Sequence, residues 1–403
     1  MDKQKRWEYG IIVITSVLLY LFLMCWLTGY GPLKQNVYNS YALQADSWRQ
    51  GRLDLGQDYP YLELAVYNGK YYVSFPPFPS YILFPLTFIF GSNTPDALLM
   101  WFISLLSAGY LYRLALQFRL SEPLSALTTL TVILGSNATF NMLNPGAWFF
   151  AQNLCFLLAV MTIYYASNGK GGWALFFWAC SVGCRPMQIF FLPVVLLILY
   201  IGEKKKSPEL SGKKIVSNKI YWGIPAGCVA LTYMVLNYLR FGSIIEFGHN
   251  YLPEFIRAEH GQFSVKYMSE NLKSLLHFFQ FDESGKIVID HFGNLSFMLA
   301  SPCVIFAILT LLACILKKEY RIVIFQSGII ACAIAYLAVT IMHKTMGGWH
   351  FGNRYANDIL PWIYLATVLG LSRVEKLGKY QIPIAVFGLC LNAIGNVVVY
   401  NGL

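Results

Sequence analysis

Long apolar runs separated by short polar segments dominate the chain. Runs of about 20 residues recur, which is the length that crosses a bilayer core of roughly 30 Å as a helix. They predict eleven membrane-spanning helices, at residues 10–30, 97–117, 124–141, 148–166, 172–184, 187–201, 221–240, 295–316, 322–342, 359–372 and 381–399. The pattern therefore predicts an all-α polytopic membrane protein whose 403 residues form one transmembrane domain.

One apolar run, at 78–90, is too short to cross the membrane. It has 13 residues and contains Pro79 and Pro85, and a helix of that length reaches about 20 Å. We expect it to lie on the outer surface as a juxtamembrane helix. A second surface helix is expected over residues 38–50, because Tyr41, Ala45 and Trp48 recur there at helical spacing.

Basic residues collect on one side of this predicted topology. With the N-terminus inside and 78–90 on the surface, most of the 30 lysines and arginines fall in inner loops, including the cluster from Lys204 to Lys219. The positive-inside rule favours this arrangement, with the C-terminus outside. We interpret the basic patches as anchors to anionic lipid and not as a nucleic-acid site. Because the sequence shows no organelle signal, we expect a bacterial plasma membrane.

The chemically rich segments all fall on the outer side. They are the loops 31–96, 241–294 and 343–358, the turn 141–148 and the break at Arg185-Pro186. All six histidines lie in these loops or at their boundary, whereas the nine cysteines lie in apolar segments and are expected to be core residues. This segregation predicts a functional site at the outer membrane interface.

Two carboxylates in the first outer loop are candidates for a general base. Asp46 falls on the amphipathic helix, where it could act as a base or metal ligand or simply occupy a solvated face. Glu63 precedes a hairpin predicted from an Asn-Gly turn, and its leucine neighbours predict poor solvation and a raised pKa. A salt bridge from Glu63 to Lys70 or Arg52 is the alternative.

A divalent metal could be held by aspartates of the first loop, namely Asp46, Asp54 and Asp58. No spacing in the sequence requires one, so no metal ligand is assigned. Asp54 and Asp58 are explained more simply as residues that cap loops.

Arginines in the outer segments are candidates for binding a phosphate. Arg185 is flanked by apolar residues at a break within the membrane region, and an arginine in that setting pairs naturally with a phosphate. Arg354 lies four residues before Asp358, which could be its partner or a helix cap. Trp349 and His350 would supply an aromatic surface and a titratable donor, although Trp349 also fits an interfacial aromatic belt.

Several short motifs resemble a known family. They are found at 51–55 and 69–80, where Gly69-Lys-Tyr-Tyr-Val-Ser-Phe-Pro-Pro leads into the surface helix, and at 183–186, 239–248 and 352–361. These stretches resemble the GT-C class of integral-membrane glycosyltransferases. Members related to the protein mannosyltransferases and the lipid A aminoarabinose transferase show a similar stretch that leads into a surface helix.

The resemblance implies a reaction and a division of roles. Such enzymes move a sugar from a polyprenyl-phosphate donor to an acceptor on the outer face; an acidic residue of the first outer loop deprotonates the acceptor, and Arg and Lys residues hold the donor phosphate. The usual acidic pair would fall where this chain has Asn36-Val37-Tyr38-Asn39. The resemblance therefore implies that Asp46 or Glu63 replaces it.

The resulting hypothesis is an inverting glycosyltransferase that uses a polyprenyl-phosphate sugar and a cell-envelope glycan, lipid or protein as acceptor. Substrate binding is assigned to residues of the outer segments: Arg185, Arg354, Asp358, Trp349, His350, Arg240, His249, Lys70 and Tyr71. His249, with Glu254 and His260, is expected to help close loop 241–294 over the acceptor.

Two alternatives share parts of this hypothesis. One is a lipid-linked sugar flippase, transporter or non-catalytic binding protein, but a flippase needs charged residues within several spans, and these spans carry very few. The other is an envelope polymerase or ligase that uses undecaprenyl-linked donors without the first-loop carboxylates.

Overall fold

The computed structural model describes residues 3–288 and 295–402. Its α-helices are α1 (Lys3–Thr28), α2 (Ser40–Arg49), α3 (Phe78–Phe90), α4 (Asp96–Gln117), α5 (Glu122–Ile133), α6 (Ala138–Leu143), α7 (Ala147–Ser167), α8 (Gly171–Val182), α9 (Leu192–Lys206), α10 (Gly212–Lys219), α11 (Ile224–Phe241), α12 (Pro253–Ile256), α13 (Met268–Leu276), α14 (Phe297–Ala300), α15 (Cys303–Leu316), α16 (Tyr320–Thr340), α17 (Leu360–Leu371) and α18 (Gln381–Asn401).

Strands are few and short. β1 (Leu64–Tyr67) pairs with β2 (Lys70–Val73), and β3 (Gln280–Phe281) pairs with β4 (Ile287–Val288), both antiparallel. Single 3₁₀ turns precede α9, α11, α17 and α18, at Pro186–Phe191, Ile220–Gly223, Arg354–Ile359 and Glu375–Tyr380. The predicted all-α class is confirmed.

Seven helical segments in the described chain are long and apolar enough to cross a membrane: Gln4–Thr28, Asp96–Gln117, Ala147–Ser167, Pro186–Lys206, Gly212–Phe241, Tyr320–Thr340 and Glu375–Asn401. Three shorter apolar helices are α3, α8 and α15. The helix predicted at 78–90 is present as α3, with 13 residues. The expected span 359–372 is the 12-residue α17, which continues from a 3₁₀ turn.

The expected single span at 124–141 is wrong. The helix stops at Ile133 and a new one starts at Ala138, so the region consists of α5 and α6 with a break between them. Within the break, the buried side chain of Asn137 donates to the main-chain oxygens of Phe351 and Gly352. A buried amide that bonds to another segment's backbone stabilises this non-helical geometry. Apolar periodicity alone does not reveal such a break.

The chain folds as two compact units. The first contains residues 1–32, 101–144 and 264–403. There the N-terminal and C-terminal helices meet, because Asn396 of α18 donates to the hydroxyl of Tyr20 in α1 at 2.9 Å. Tyr400 donates to the main-chain oxygen of Phe140 at 2.8 Å. The first unit is therefore completed only by the last helix of the chain.

The second unit contains residues 33–100 and 145–263. Helices α7, α8 and α11 pack side by side in it, and α2 packs on α3. The hydroxyl of Ser80 in α3 joins the latter two, since it lies 2.8 Å from Gln44 Oε1 and 3.0 Å from the main-chain oxygen of Tyr41. This unit carries most of the first loop, from residue 33 to residue 96, and the residues around Arg185.

Candidate functional site

The predicted hairpin at the centre of the first loop is confirmed. Leu64 pairs with Val73 and Tyr67 with Lys70, leaving Asn68 and Gly69 as the two turn residues. Both have positive φ, 49° and 71°, which is the conformation of the tight turn that matches strand twist. The hairpin fixes where the chain leaves β2, and residues 74–75 that follow are central to the site.

Glu63 does not lie in an apolar environment, so the expected poor solvation is wrong. Leu62 and Leu64 are buried while Glu63 is exposed, because successive side chains of an extended segment point to opposite faces. Its Oε2 accepts a hydrogen bond from the indole Nε1 of Trp148 at 2.9 Å.

The expected salt bridge from Glu63 to Lys70 or Arg52 is also absent from the described residues. Lys70 lies 3.5 Å from Asp54, and Arg52 donates to Gln50 at 2.9 Å. Asp54 additionally accepts from the main-chain nitrogen of Gly56 at 2.8 Å, which agrees with a loop-capping role.

Asp46 lies on α2, as expected, and is paired locally. Its carboxylate is 2.8 Å from Arg49 and accepts from Gln50 at 2.7 Å. Among the residues that the structure describes, no three His, Cys, Asp or Glu side chains are grouped as metal ligands.

Arg185 lies at the predicted break between helices. Helix α8 ends at Val182, the 3₁₀ turn begins at Pro186, and Arg185 between them is extended, with φ −141° and ψ 99°. The main-chain oxygen of Gly183, in the same break, accepts from Phe78 at 3.0 Å, which ties the break to the end of the first loop. Arg185 is half-buried.

His249 lies against the end of the hairpin. Its Nδ1 is 2.9 Å from the main-chain oxygen of Ser74; since a carbonyl only accepts, Nδ1 carries the proton. Its ring lies 5.6 Å from that of Phe75 and 5.4 Å from that of Phe255. Burial lowers the pKa of His249, and the nearby positive charge of Arg185 lowers it further. His249 is therefore neutral at pH 7.

Arg240 is the third side chain at the end of the hairpin. It is buried, and it donates to the main-chain oxygen of Val73 at 3.1 Å and to Asn237 Oδ1 at 2.9 Å. These contacts fasten β2 to α11 and indicate a positioning role. The neighbouring Lys70 is exposed and Tyr71 is half-buried, and the main-chain oxygen of Tyr71 accepts from Leu55 at 2.9 Å.

Two other residues of loop 241–294 that were expected to help close it over the acceptor, Glu254 and His260, are less buried than His249. Glu254 is exposed, and His260 lies 3.7 Å from Glu259. His291, the last histidine of loop 241–294, lies outside the described residues. In this unit the structure thus brings together the hairpin end, Arg185, Arg240 and His249.

The remaining predicted residues belong to the first unit and are firmly packed there. Arg354 is buried and donates to the main-chain oxygen of Gly347, with its guanidinium 5.1 Å from the Tyr355 ring. Asp358 is also buried and accepts from the Tyr336 hydroxyl at 2.7 Å. Helix α17 begins just after this pair.

Trp349 and His350 also lie inside the first unit. The Trp349 ring is 5.3 Å from Phe140 and 5.0 Å from Tyr400. His350 is 1% exposed, and burial, assisted by the charge of Arg354, lowers its pKa to about 3. The expectation that His350 is a titratable donor near neutral pH is therefore wrong, because the imidazole stays uncharged.

Sequence reasoning missed two residues of the second unit. Trp148 was seen only as part of a turn, and its bond to Glu63 spans 85 residues. Asp96, the first residue of α4, is buried and accepts from Thr94 and, at 3.3 Å, from the Asn36 amide. Asn36 also donates to Pro145 at 2.8 Å. The Thr94-Pro95-Asp96 sequence signals a helix start, but not these distant partners.

Comparison with known proteins identifies the fold by structural similarity and not by sequence similarity. No family model matches the sequence, and no curated protein matches it either. Among solved structures, ArnT from Cupriavidus metallidurans bound to undecaprenyl phosphate superposes with a TM-score of 0.56 at 11% identity, covering 97% of this chain and 76% of that one. The apo oligosaccharyltransferase of Archaeoglobus fulgidus gives 0.53 at 12% identity, covering 100% of this chain.

The chain has the GT-C fold. The family resemblance of the short motifs is thereby confirmed at the level of fold. The chain spans 56% of the length of the archaeal oligosaccharyltransferase.

Proposed function

We propose that this protein is a membrane glycosyltransferase that moves a sugar from a polyprenyl-phosphate donor to an acceptor at the outer face of the membrane. The observation that carries the proposal is the assembly of Arg185, His249 and the hairpin end within one unit of a GT-C fold. The structural neighbours are named as an oligosaccharyltransferase and as ArnT bound to undecaprenyl phosphate.

Arg185 is proposed to bind the donor phosphate. It is half-buried at a break between apolar helices, where a lipid phosphate at the membrane surface would be within reach. A guanidinium offers a planar fork of donors that matches phosphate oxygens. His249 beside it is uncharged, so it adds no positive charge that would repel the guanidinium.

Glu63 is proposed as the general base in preference to Asp46. Glu63 is exposed and immediately precedes the hairpin, whose end contacts Arg240 and His249. In the reaction, the Glu63 carboxylate takes the proton of an acceptor hydroxyl, and the acceptor oxygen forms a bond to the anomeric carbon. The bond from that carbon to the phosphate oxygen breaks, and its electron pair leaves with the polyprenyl phosphate beside Arg185. Attack opposite the leaving group inverts the anomeric centre.

Arg354 and Asp358 are proposed as substrate-binding residues of the first unit. Both are held inside the first unit by Gly347 and Tyr336. Their assignment therefore ranks below that of Arg185, which is less enclosed.

The first test measures transfer and donor binding in lipid nanodiscs with a panel of radiolabelled polyprenyl-phosphate sugars. Arg185→Ala is expected to lower kcat/KM by about 10- to 100-fold, since a hydrogen bond to a charged group contributes about 1.5–3 kcal/mol. Arg185→Lys should recover part of the loss. Arg257→Ala, which removes an exposed arginine of the same unit, is the matched control. Wild-type turnover in Arg185→Ala would refute the assignment.

The second test separates the two carboxylates. Glu63→Gln is expected to reduce kcat by about 10²- to 10⁴-fold, as for loss of a general base, and Asp46→Asn much less. The opposite ranking would move the role to Asp46. If the wild type and every variant bound the donor but none of them transferred sugar, the result would favour the alternative, a flippase or lipid-sugar binding protein.

A further inference from the structure

An aromatic surface lies beside the proposed base. Trp148, at the start of α7, is half-buried, and its ring lies 5.3 Å from that of Tyr38 and 6.5 Å from that of Phe75. Tyr38 is 41% exposed, whereas Phe75 is buried beneath them. We name these three residues, Tyr38, Phe75 and Trp148, the Trp148 platform. Glu63 lies at its edge, bonded to the indole nitrogen.

The platform is held in place by main-chain contacts. The main-chain nitrogen of Ala147 donates to the main-chain oxygen of Tyr38 at 3.0 Å, and the Asn36 amide donates to that of Pro145 at 2.8 Å. On the other side, the Ser74 hydroxyl donates to the main-chain oxygen of Glu63 at 3.1 Å. A ligand that binds here therefore does not have to order these segments, which removes a cost of binding.

An interfacial aromatic belt does not explain the platform well. A belt tryptophan places its N–H toward lipid headgroups, but the Trp148 N–H is given to Glu63 within the protein. The parts of the platform open to a ligand are therefore the exposed Tyr38 and the half-buried Trp148, with a carboxylate acceptor next to them.

This combination matches the chemistry of a sugar ring. One face of a pyranose presents C–H groups that pack on an aromatic ring, and its edge presents hydroxyl donors. A carboxylate offers about four acceptor sites, so Glu63 can accept from a hydroxyl as well as from Trp148. A sugar lying on the rings would therefore place a hydroxyl at the proposed base.

We propose that the Trp148 platform binds a sugar ring of the acceptor, so that the acceptor of this enzyme is a glycan. The inference rests on the proposed function in one respect: the bound sugar is called an acceptor because the protein is proposed to be a transferase. Binding of a sugar by the platform does not require a donor. A transferase that modifies a peptide has no need to bind a sugar ring of its acceptor. Binding of a sugar ring by the platform would therefore distinguish this protein from such a transferase.

The test is direct binding without a donor. Wild-type protein in nanodiscs is mixed with tetrasaccharides of glucose, mannose, galactose, rhamnose and N-acetylglucosamine, and contacts are detected by saturation-transfer NMR and by tryptophan fluorescence. At least one tetrasaccharide is expected to bind, and Trp148→Leu is expected to weaken it about tenfold or more, as for loss of an aromatic anchor. Trp148→Phe, which keeps an aromatic face, should lose about threefold.

Two controls make the outcome specific. Trp173→Leu removes an exposed tryptophan of the same unit, on α8, and should leave binding unchanged. A set of unglycosylated hexapeptides serves as the competing acceptor class. Failure of all tetrasaccharides to bind, equal binding by Trp148→Leu, or binding of peptides in their place would each overturn the inference. Loss of donor turnover with intact sugar binding would instead count against the proposed function alone.

Discussion

Replacing Gly388 with alanine tests the closest packing in the first unit. Gly388 lies in α18, and a Cβ built on it would be 2.1 Å from the main-chain oxygen of Gly135 and 2.8 Å from its carbonyl carbon. Gly135 lies in the break between α5 and α6, so the obstacle is backbone that no rotamer change can move. Contacts of a Cβ are ordinarily 3.4–4 Å.

The size of the effect follows from these distances. To bring that Cβ from 2.1 Å to an ordinary contact of 3.4 Å, α18 must move away from the break by about 1.3 Å. Overpacking of this kind costs about 1–3 kcal/mol. The gain of about 1 kcal/mol from helix propensity opposes it only in part. We expect Gly388→Ala to lower the free energy of unfolding by about 2 kcal/mol, which lowers the thermal midpoint by several degrees.

The assay is thermal unfolding in detergent, followed by the fraction of protein that remains monodisperse. Gly328→Ala is the matched control, because Gly328 is an exposed glycine in the interior of α16 with nothing within 4 Å of a built Cβ. It should be neutral or stabilise the protein by about 0.5–1 kcal/mol. If Gly388→Ala were as stable as Gly328→Ala, the close approach of α18 to the break would be refuted.

Three further predictions concern stability. Gly69→Ala should destabilise the hairpin by about 1 kcal/mol, because residue 69 has φ 71°, and should speed hydrogen exchange at 64–73; unchanged exchange would contradict the turn. The folded pKa of His350 is about 3, below its ordinary value of about 6.5, so the unfolded state binds the extra proton and stability falls as pH drops from 6.5 toward 3. His350→Phe should show a smaller fall between pH 7 and 4; an equal fall would assign the loss to other groups. Tyr336→Phe removes a donor to buried Asp358 and should cost about 1–3 kcal/mol, whereas Tyr320→Phe, at an exposed position, should change the thermal midpoint little; equal effects would contradict the buried bond.

Local patterns predicted the first loop well. The Asn68-Gly69 turn and the 13-residue helix after the prolines are both present, because turn residues and prolines act through their own backbone geometry. The break at Arg185-Pro186 is present for the same reason. Where the controlling interaction is local, the sequence is sufficient.

The incorrect predictions have a common physical origin, which is interaction with residues that are distant in the sequence. The break at 134–137 depends on Gly135 meeting Gly388 and on Asn137 bonding residues more than 200 positions away. The environment of Glu63 depends on Trp148, although the exposure of Glu63 itself could have been inferred from the alternation of Leu62 and Leu64 about it. The neutrality of His350 depends on burial, which a polar loop composition does not predict.

The meeting of α1 and α18 has a consequence for biosynthesis. Tyr20 leaves the ribosome early, but its partner Asn396 follows 376 residues later, which at about 5–20 residues per second means a wait of roughly 20 to 75 s. The second unit ends at Phe263 and can complete its internal contacts during that time. The first helix can meanwhile pack on α5 and α6, which are made early, but its contact with α18 must wait for the end of synthesis. A nascent chain that stalls before α18 should therefore contain a folded second unit and a first unit that still lacks the α1–α18 contact.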